Sequence, residues 1–336
     1  MNPPKQVRAG VGPTRRGALV SGLAAAAAAA FPMSGWAQAY PARPIKVICP
    51  YPVGGSTNIL VRIVAQALAE ELPATTVVEN KGGGANIGMD ALARSTPDGY
   101  TLGVGDVSTH CINPFLYARM PYDARADFTP IGLVGQTPTL LLVHPDIPAK
   151  NVAELIAHAK TRPGKMSFAS SGNGTSTHIA GELLKLRGGV EILHVPYKSA
   201  SQALLDLMAG RVDMMFYHPA ASLPYIKDGR VRAIGVSSAR RTSTAPDIVP
   251  INEQGIGPFD LAPWWVLYGP AGMPAPVTER LRTALASVQK RPEFTKLLAT
   301  NGFDSRPLAP AELDAFLTAE SAKWGELVKR SGARID

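Results

Sequence analysis

The chain is poor in the residues that usually announce chemistry. Its 336 residues include two cysteines, Cys49 and Cys111, and six histidines. None of them falls into a C-x-x-C or H-x-x-x-H spacing, so no metal site is expected, although His110, Cys111, Cys49 and His218 are the residues that could offer N and S ligands. The glycine-rich stretch 50–58, PYPVGGSTN, lacks the Lys-Ser or Lys-Thr of a phosphate loop and the third glycine of a dinucleotide fingerprint, so no cofactor is expected. Basic residues do not cluster. The formal charge of +8 falls to +4 once the four basic residues of segment 1–39, which holds no Asp or Glu, are set aside, too thin an excess for nucleic acid. A Ser-rich or charged linker, a repeat of fixed period and a late apolar run near the ~20 residues that span a bilayer are all missing.

What is present begins with an export signal. Lys5, Arg8, Arg15 and Arg16 precede an Ala-rich apolar run over 17–31, and Ala37-Gln38-Ala39 follows, which predicts cleavage after Ala39. Thr14-Arg15-Arg16-Gly17-Ala18-Leu19 also fits a twin-arginine address, and an ordinary signal with adjacent arginines fits equally. The 297 residues that remain are expected outside the cytoplasm. Cys49 and Cys111 are even in number, which permits a disulfide, but a chain of this length needs no staple, and two buried free thiols are expected.

Short apolar runs alternate with longer amphipathic ones, the pattern of an α/β fold with mostly parallel sheets. Strands are predicted at 45–49, 75–79, 101–105, 131–135, 139–144, 166–169, 191–194, 212–217, 231–237 and 265–268, with helices between them. Asn151 with Glu154 opens one helix, which Pro163-Gly164 stops. The size suggests two lobes, and the missing linker suggests that strands cross between them, leaving a cleft at a hinge.

PYPVGGSTN follows the first predicted strand and opens a helix. Gly54-Gly55 permits a tight turn, Ser56 is a candidate helix cap, and the first-turn N–H groups form an anion site. Gly82-Gly83-Gly84-Ala85-Asn86 and Ser170-Ser171-Gly172-Asn173-Gly174-Thr175-Ser176 repeat the arrangement after later strands. Three polar helix starts at strand ends point to a cleft that grips a carboxylate with N–H groups and hydroxyls.

These residues carry a resemblance. The chain resembles the extracytoplasmic receptors of tripartite tricarboxylate transporters, the Bug receptors, through Tyr40-Pro41-Ala42-Arg43-Pro44, PYPVGG, VVENKGGG, Pro97-Asp98-Gly99-Tyr100-Thr101-Leu102, Thr109-His110 with Asn113-Pro114, Pro121-Tyr122-Asp123, GNGTSTH, His194-Val195-Pro196-Tyr197-Lys198 and Pro270-Ala271-Gly272 with Pro274. The resemblance implies a two-lobe periplasmic-binding-protein fold of type II kind, with lobe 1 at 40–141 plus 262–336 and lobe 2 at 142–261. It implies ligand contacts from Tyr51, Gly54, Gly55, Ser56, Thr57 and Asn58, from Gly83 and Gly84, from Ser108 and Thr109, and across the cleft from Ser171, Asn173, Thr175, Tyr197 and His218. The implied partners are a small organic acid and a two-component membrane permease, or a sensor, served by a monomeric receptor. Asn58 and His218 stand where the family commonly has Asp, which makes the cleft less hospitable to an ammonium group. An aromatic acid or dicarboxylate is therefore expected over an amino acid, with His218 donating more strongly if protonated.

Gly54-Gly55-Ser56-Thr57-Asn58 also resembles a damaged nucleophile elbow, with Asn58 where glycine is required, so a secreted hydrolase using Ser56 is the alternative. It would need a later histidine, His178, His194 or His218, as base. Trp264-Trp265 reads either as a ligand wall or as interior packing, and Lys198 either as a clamp or as a solvated lysine.

Overall fold

The computed structural model describes residues 40–82, 85–242 and 244–335, so the export signal lies outside the described residues. Ten strands form two five-stranded sheets. They are β1 (Ile45–Cys49), β2 (Thr76–Asn80), β3 (Thr101–Asp106), β4 (Phe128–Gln136), β5 (Leu140–Val143), β6 (Met166–Ser170), β7 (Ile192–Pro196), β8 (Met214–Tyr217), β9 (Arg232–Val236) and β10 (Trp264–Pro270). Helices cover them: α1 (Ser56–Glu71), α2 (Ala85–Ala93), α3 (Asn113–Leu116), α4 (Val152–Lys160), α5 (Ser176–Gly188), α6 (Ala200–Met208), α7 (Pro219–Lys227), α8 (Ala275–Gln289), α9 (Pro292–Thr300) and α10 (Pro310–Ser331). Every strand expected from the sequence is present, with ends displaced by up to three residues. The largest shift at a strand start is at β8, which begins at Met214 because Asp213 is turned aside: its carboxylate accepts from Ser167 N at 2.7 Å.

The sheet of lobe 1 has the order β2-β1-β3-β10-β4 and that of lobe 2 the order β7-β6-β8-β5-β9. In each, the first three strands are parallel and the fourth is antiparallel to both neighbours. The reversed strands are β10 and β5, each reached as the chain passes from one lobe into the other. Two passages, 137–139 and 237–263, therefore lie side by side as a hinge. Thr137 N donates to Pro263 O at 2.9 Å, Ser237 N to Thr139 O at 2.9 Å, and Thr139 N to Ser237 Oγ at 2.8 Å. All three residues are buried, so these backbone groups had to be paired within the protein.

Helix α1 shows how a lobe is built. Leu60, Val61, Val64 and Leu68 recur at helical spacing and are fully buried, each worth about 1.5–3 kcal/mol relative to exposure. The long α10 closes lobe 1 through Glu320, whose carboxylate accepts from both Trp264 Nε1 and Trp324 Nε1 at 2.9 Å. A buried carboxylate needs such donors. In α4, Asn151 Oδ1 accepts from Glu154 N at 2.8 Å, the expected cap. Cys49 and Cys111 are both free and buried.

Candidate functional site

The parallel strands β1, β3, β6 and β8 end at one cleft between the lobes. After β1 come Tyr51, Pro52, Val53, Gly55, Ser56 and Thr57, and β3 ends in Asp106, followed by Val107 and Ser108. Lobe 2 adds Ser171 and Thr175–Thr177 after β6, Lys198 after β7 and His218 after β8, with Trp265 at the hinge. The enclosed volume is about 90 Å³.

Two helices aim their N-termini here. Gly55 is the N-cap of α1 and has no side-chain capping bond. Ser56, expected to cap the helix, is instead its first residue: its hydroxyl points away from the first-turn N–H groups and has no hydrogen-bond partner among the described residues, although it is buried. The extended backbone at Gly55 lets that residue take the cap position. On the opposite wall Thr175 caps α5, its Oγ1 accepting from His178 N at 3.3 Å. Thr177 Oγ1 lies 2.9 Å from Thr175 Oγ1 and 3.1 Å from Ser171 Oγ, a cluster of three hydroxyls. Each helix start offers unpaired N–H groups and the positive end of a dipole.

Asp106 is the one acid among the described lining residues and Lys198 the one permanent cation. The Asp106 carboxylate is buried but tied back: Tyr51 Oη donates to Oδ2 at 2.6 Å and Thr109 N to Oδ1 at 3.0 Å. Burial raises its pKa while these hydrogen bonds oppose the rise. Burial, followed by the charge of Asp106, holds the Tyr51 phenol well above its usual range, so it stays a donor to Asp106. Burial lowers His218 to about 4, so its ring is uncharged at neutral pH; the stronger, protonated donor anticipated from the sequence does not apply. His218 stands edge-on to Trp265, with centroids 5.4 Å apart. The tryptophan pair divides: Trp264 is interior, whereas Trp265 lines the cleft with Nε1 donating to Thr57 Oγ1 at 2.9 Å.

Of the residues singled out from the sequence, Tyr51, Gly55, Ser56, Thr57, Ser108, Ser171, Thr175 and His218 meet at the cleft. Gly54 sits just outside its wall. Asn58 is on the buried side of α1, where Oδ1 accepts from Arg62 Nε at 3.3 Å. Thr109 is behind Ser108, bonded to Asp106, and Tyr197 turns its hydroxyl to Asp206 at 2.8 Å. Asn173 faces the segment 331–335. Gly83 and Gly84 lie outside the described residues. Asp106, Ser176, Thr177 and Trp265 are cleft residues that sequence reasoning passed over as contacts; the acid at the end of β3 and the hydroxyl run after Gly174 were the available signals.

The lobes touch at Gly174. A Cβ there would lie 2.6 Å from Asn113 Oδ1 and 2.7 Å from Leu116 Cδ2, and the residue has φ +76°. Only glycine meets both conditions without displacement. No histidine is hydrogen-bonded to Ser56 among the described residues, and no group of three metal-ligating side chains occurs among them.

Comparison with known proteins agrees with this geometry. A family profile described as tripartite tricarboxylate transporter family receptor matches residues 60–333. Protein BugT of Bordetella pertussis is 32% identical over 324 residues, covering 96% of this chain and 99% of BugT. Among solved structures, R. palustris Rpa4515 with adipate superposes with a TM-score of 0.84 at 32% identity, over 88% of this chain and 100% of that one. MatC from Rhodopseudomonas palustris with bound malate gives 0.80 at 28% identity, over 86% and 100%.

Proposed function

The chain belongs to the tripartite tricarboxylate transporter receptor family, and from that premise we propose that it is a periplasmic receptor for a small dicarboxylate, delivering it to the membrane permease of such a transporter. The family and the solved neighbours are solute-binding proteins and not enzymes. The observation that carries the reading is the convergence of two helix N-termini, α1 from lobe 1 and α5 from lobe 2, on one cleft. One carboxylate meets Ser56 Oγ and the first turn of α1. The other meets the hydroxyls of Ser171, Thr175 and Thr177, with Lys198 beside them.

Binding of this kind works by differential affinity. A ligand with an anionic group at each end gains its second set of contacts only when both lobes face it, so it stabilises the closed arrangement. The permease then recognises that shape, and the receptor acts as a monomer. The two dicarboxylates seen in R. palustris Rpa4515 and MatC support the ligand class. The cleft's single acid is already engaged by Tyr51 and Thr109, so little is left to pair with an ammonium group.

Isothermal titration of the mature protein with adipate, malate, benzoate, glutarate and glutamate tests the proposal. Saturable binding of a dicarboxylate, recovered unchanged afterwards, is expected, with glutarate preferred over glutamate. Tighter binding of glutamate than of glutarate, or preference for benzoate over every dicarboxylate, would overturn it.

A further inference from the structure

Behind the cleft, lobe 1 contains a second and larger cavity of about 480 Å³. It lies between the π-helical turn Ser108–Ile112, the segment 120–130, β10 and α10. Its deep wall is aromatic. The His110 ring stacks on Tyr268 with centroids 4.2 Å apart and planes 2° from parallel, and meets Phe128 edge-on at 5.0 Å. Phe128 in turn meets Tyr122 edge-on at 5.4 Å. The charged residues that line the cavity stay at its rim, where Arg125 Nη2 pairs with Asp314 Oδ1 at 3.1 Å and both side chains are exposed.

Two polar atoms of that wall are buried with no hydrogen-bond partner among the described residues: His110 Nε2 and Tyr268 Oη. Their residues are 6% and 2% exposed. Native interiors seldom leave such groups unpaired, and a pair of them on one cavity marks a place where a ligand can complete the bonding. Neither group is charged at neutral pH, since burial lowers His110 to about 3 and holds the Tyr268 phenol protonated. A carboxylate therefore finds no countercharge in the interior. His110 Nδ1 lies 2.8 Å from Thr109 Oγ1, and whichever of the two donates, Nε2 is left as a bare acceptor or as an N–H. A hydroxyl satisfies either form, because it both donates and accepts.

From this aromatic cavity and its two unpaired polar atoms we propose a second ligand site, for an uncharged ring compound bearing a hydroxyl, of the phenol class. The site is connected to the cleft. Ser108 lines the cleft and His110 the cavity, on the same short turn, and Thr109 between them is bonded to Asp106, whose other oxygen receives Tyr51. Tyr122 Oη, from the cavity side, donates to Thr109 O at 2.8 Å. Occupancy of the cavity and of the cleft are thus coupled through one turn, and the coupling is reciprocal.

The test is titration of the mature protein with phenol, using toluene and benzoate as comparators, followed by calorimetry and by the side-chain ¹⁵N resonances of His110. Phenol is expected to bind once, about tenfold more tightly than toluene, which lacks the hydroxyl, and to shift the His110 Nε2 signal. Leu317→Trp, which fills the cavity from α10, is expected to abolish that binding while preserving the circular dichroism spectrum. Ser56→Trp, which fills the cleft, is expected to leave phenol binding in place, so the outcome does not depend on the ligand proposed for the cleft. Phenol that fails to saturate, that is lost in Ser56→Trp, or that binds Leu317→Trp unchanged refutes the site.

Discussion

Gly174→Ala adds one methyl group where the lobes meet. The added Cβ would stand 2.6 Å from Asn113 Oδ1 and 2.7 Å from Leu116 Cδ2, both on the opposite lobe, so one of the three must move. Overpacking of this kind costs about 1–3 kcal/mol. Because the contact exists only when the lobes are together, that cost falls on the closed form, and at about 1.4 kcal/mol per tenfold the affinity for a dicarboxylate such as adipate should drop about 5- to 150-fold. The same substitution also strains a left-handed backbone position in either form, by about 1–2 kcal/mol. Gly189→Ala separates the two effects. Gly189 has φ +59° at the end of α5 with nothing within 4 Å of an added Cβ, so it should lower the melting temperature by about 2–4 °C per kcal/mol and leave affinity unchanged. Calorimetric titration together with thermal unfolding reads both quantities. Gly174→Ala binding as tightly as the parent while melting like Gly189→Ala would refute the clamp, and partial recovery of affinity in Gly174→Ala with Leu116→Ala would support it.

Other outcomes follow from single groups. Ser56→Ala removes a buried hydroxyl without a partner, so the unliganded protein should melt at the same temperature or higher, while dicarboxylate affinity falls about 3- to 10-fold; a large loss of apo stability would contradict the placement. Burial holds His110, His178, His194 and His218 at about 3, 4, 3 and 4, below the 6.5 of an unfolded chain. Above pH 6.5 neither state is protonated. As pH falls from there the unfolded chain takes up protons first, so stability should decline until about pH 4, by up to about 1.4 kcal/mol per pH unit for each buried ring. The slope is smaller for half-buried His194 and His218, and a melting temperature flat from pH 6.5 to 4 would refute the assignment. Native protein should leave a thiol reagent unconsumed and the denatured chain should consume two equivalents, because Cys49 and Cys111 are 0% and 2% exposed with thiols raised by burial; a reactive native thiol would show the core to be open.

The strands were legible because each is a short apolar run whose burial follows from its own residues. The helix starts after β1 and β6 were legible for a similar reason, since glycine, serine and threonine at a strand end leave few other local conformations. Within those loops, however, the sequence named neighbours without sorting them. Gly55 and Thr175 reach the cleft, while Gly54 and Asn173, one and two residues away, face elsewhere. Adjacent residues on a turn point in different directions, and which direction is the cleft depends on the other lobe.

The alternation of apolar runs and the placement of glycine and hydroxyl residues at strand ends were enough to give ten strands, an α/β class and three candidate anion loops, because periodicity and turn chemistry act over a few residues. Tertiary structure alone decided that β5 and β10 run against their sheets, that Asp106 is tied to Tyr51 from 55 residues away, that His218 is held neutral, and that Gly174 meets Asn113. Each of these depends on desolvation or contact between segments distant in the chain, and neither burial by a remote neighbour nor a clash across a cleft leaves a mark in local sequence.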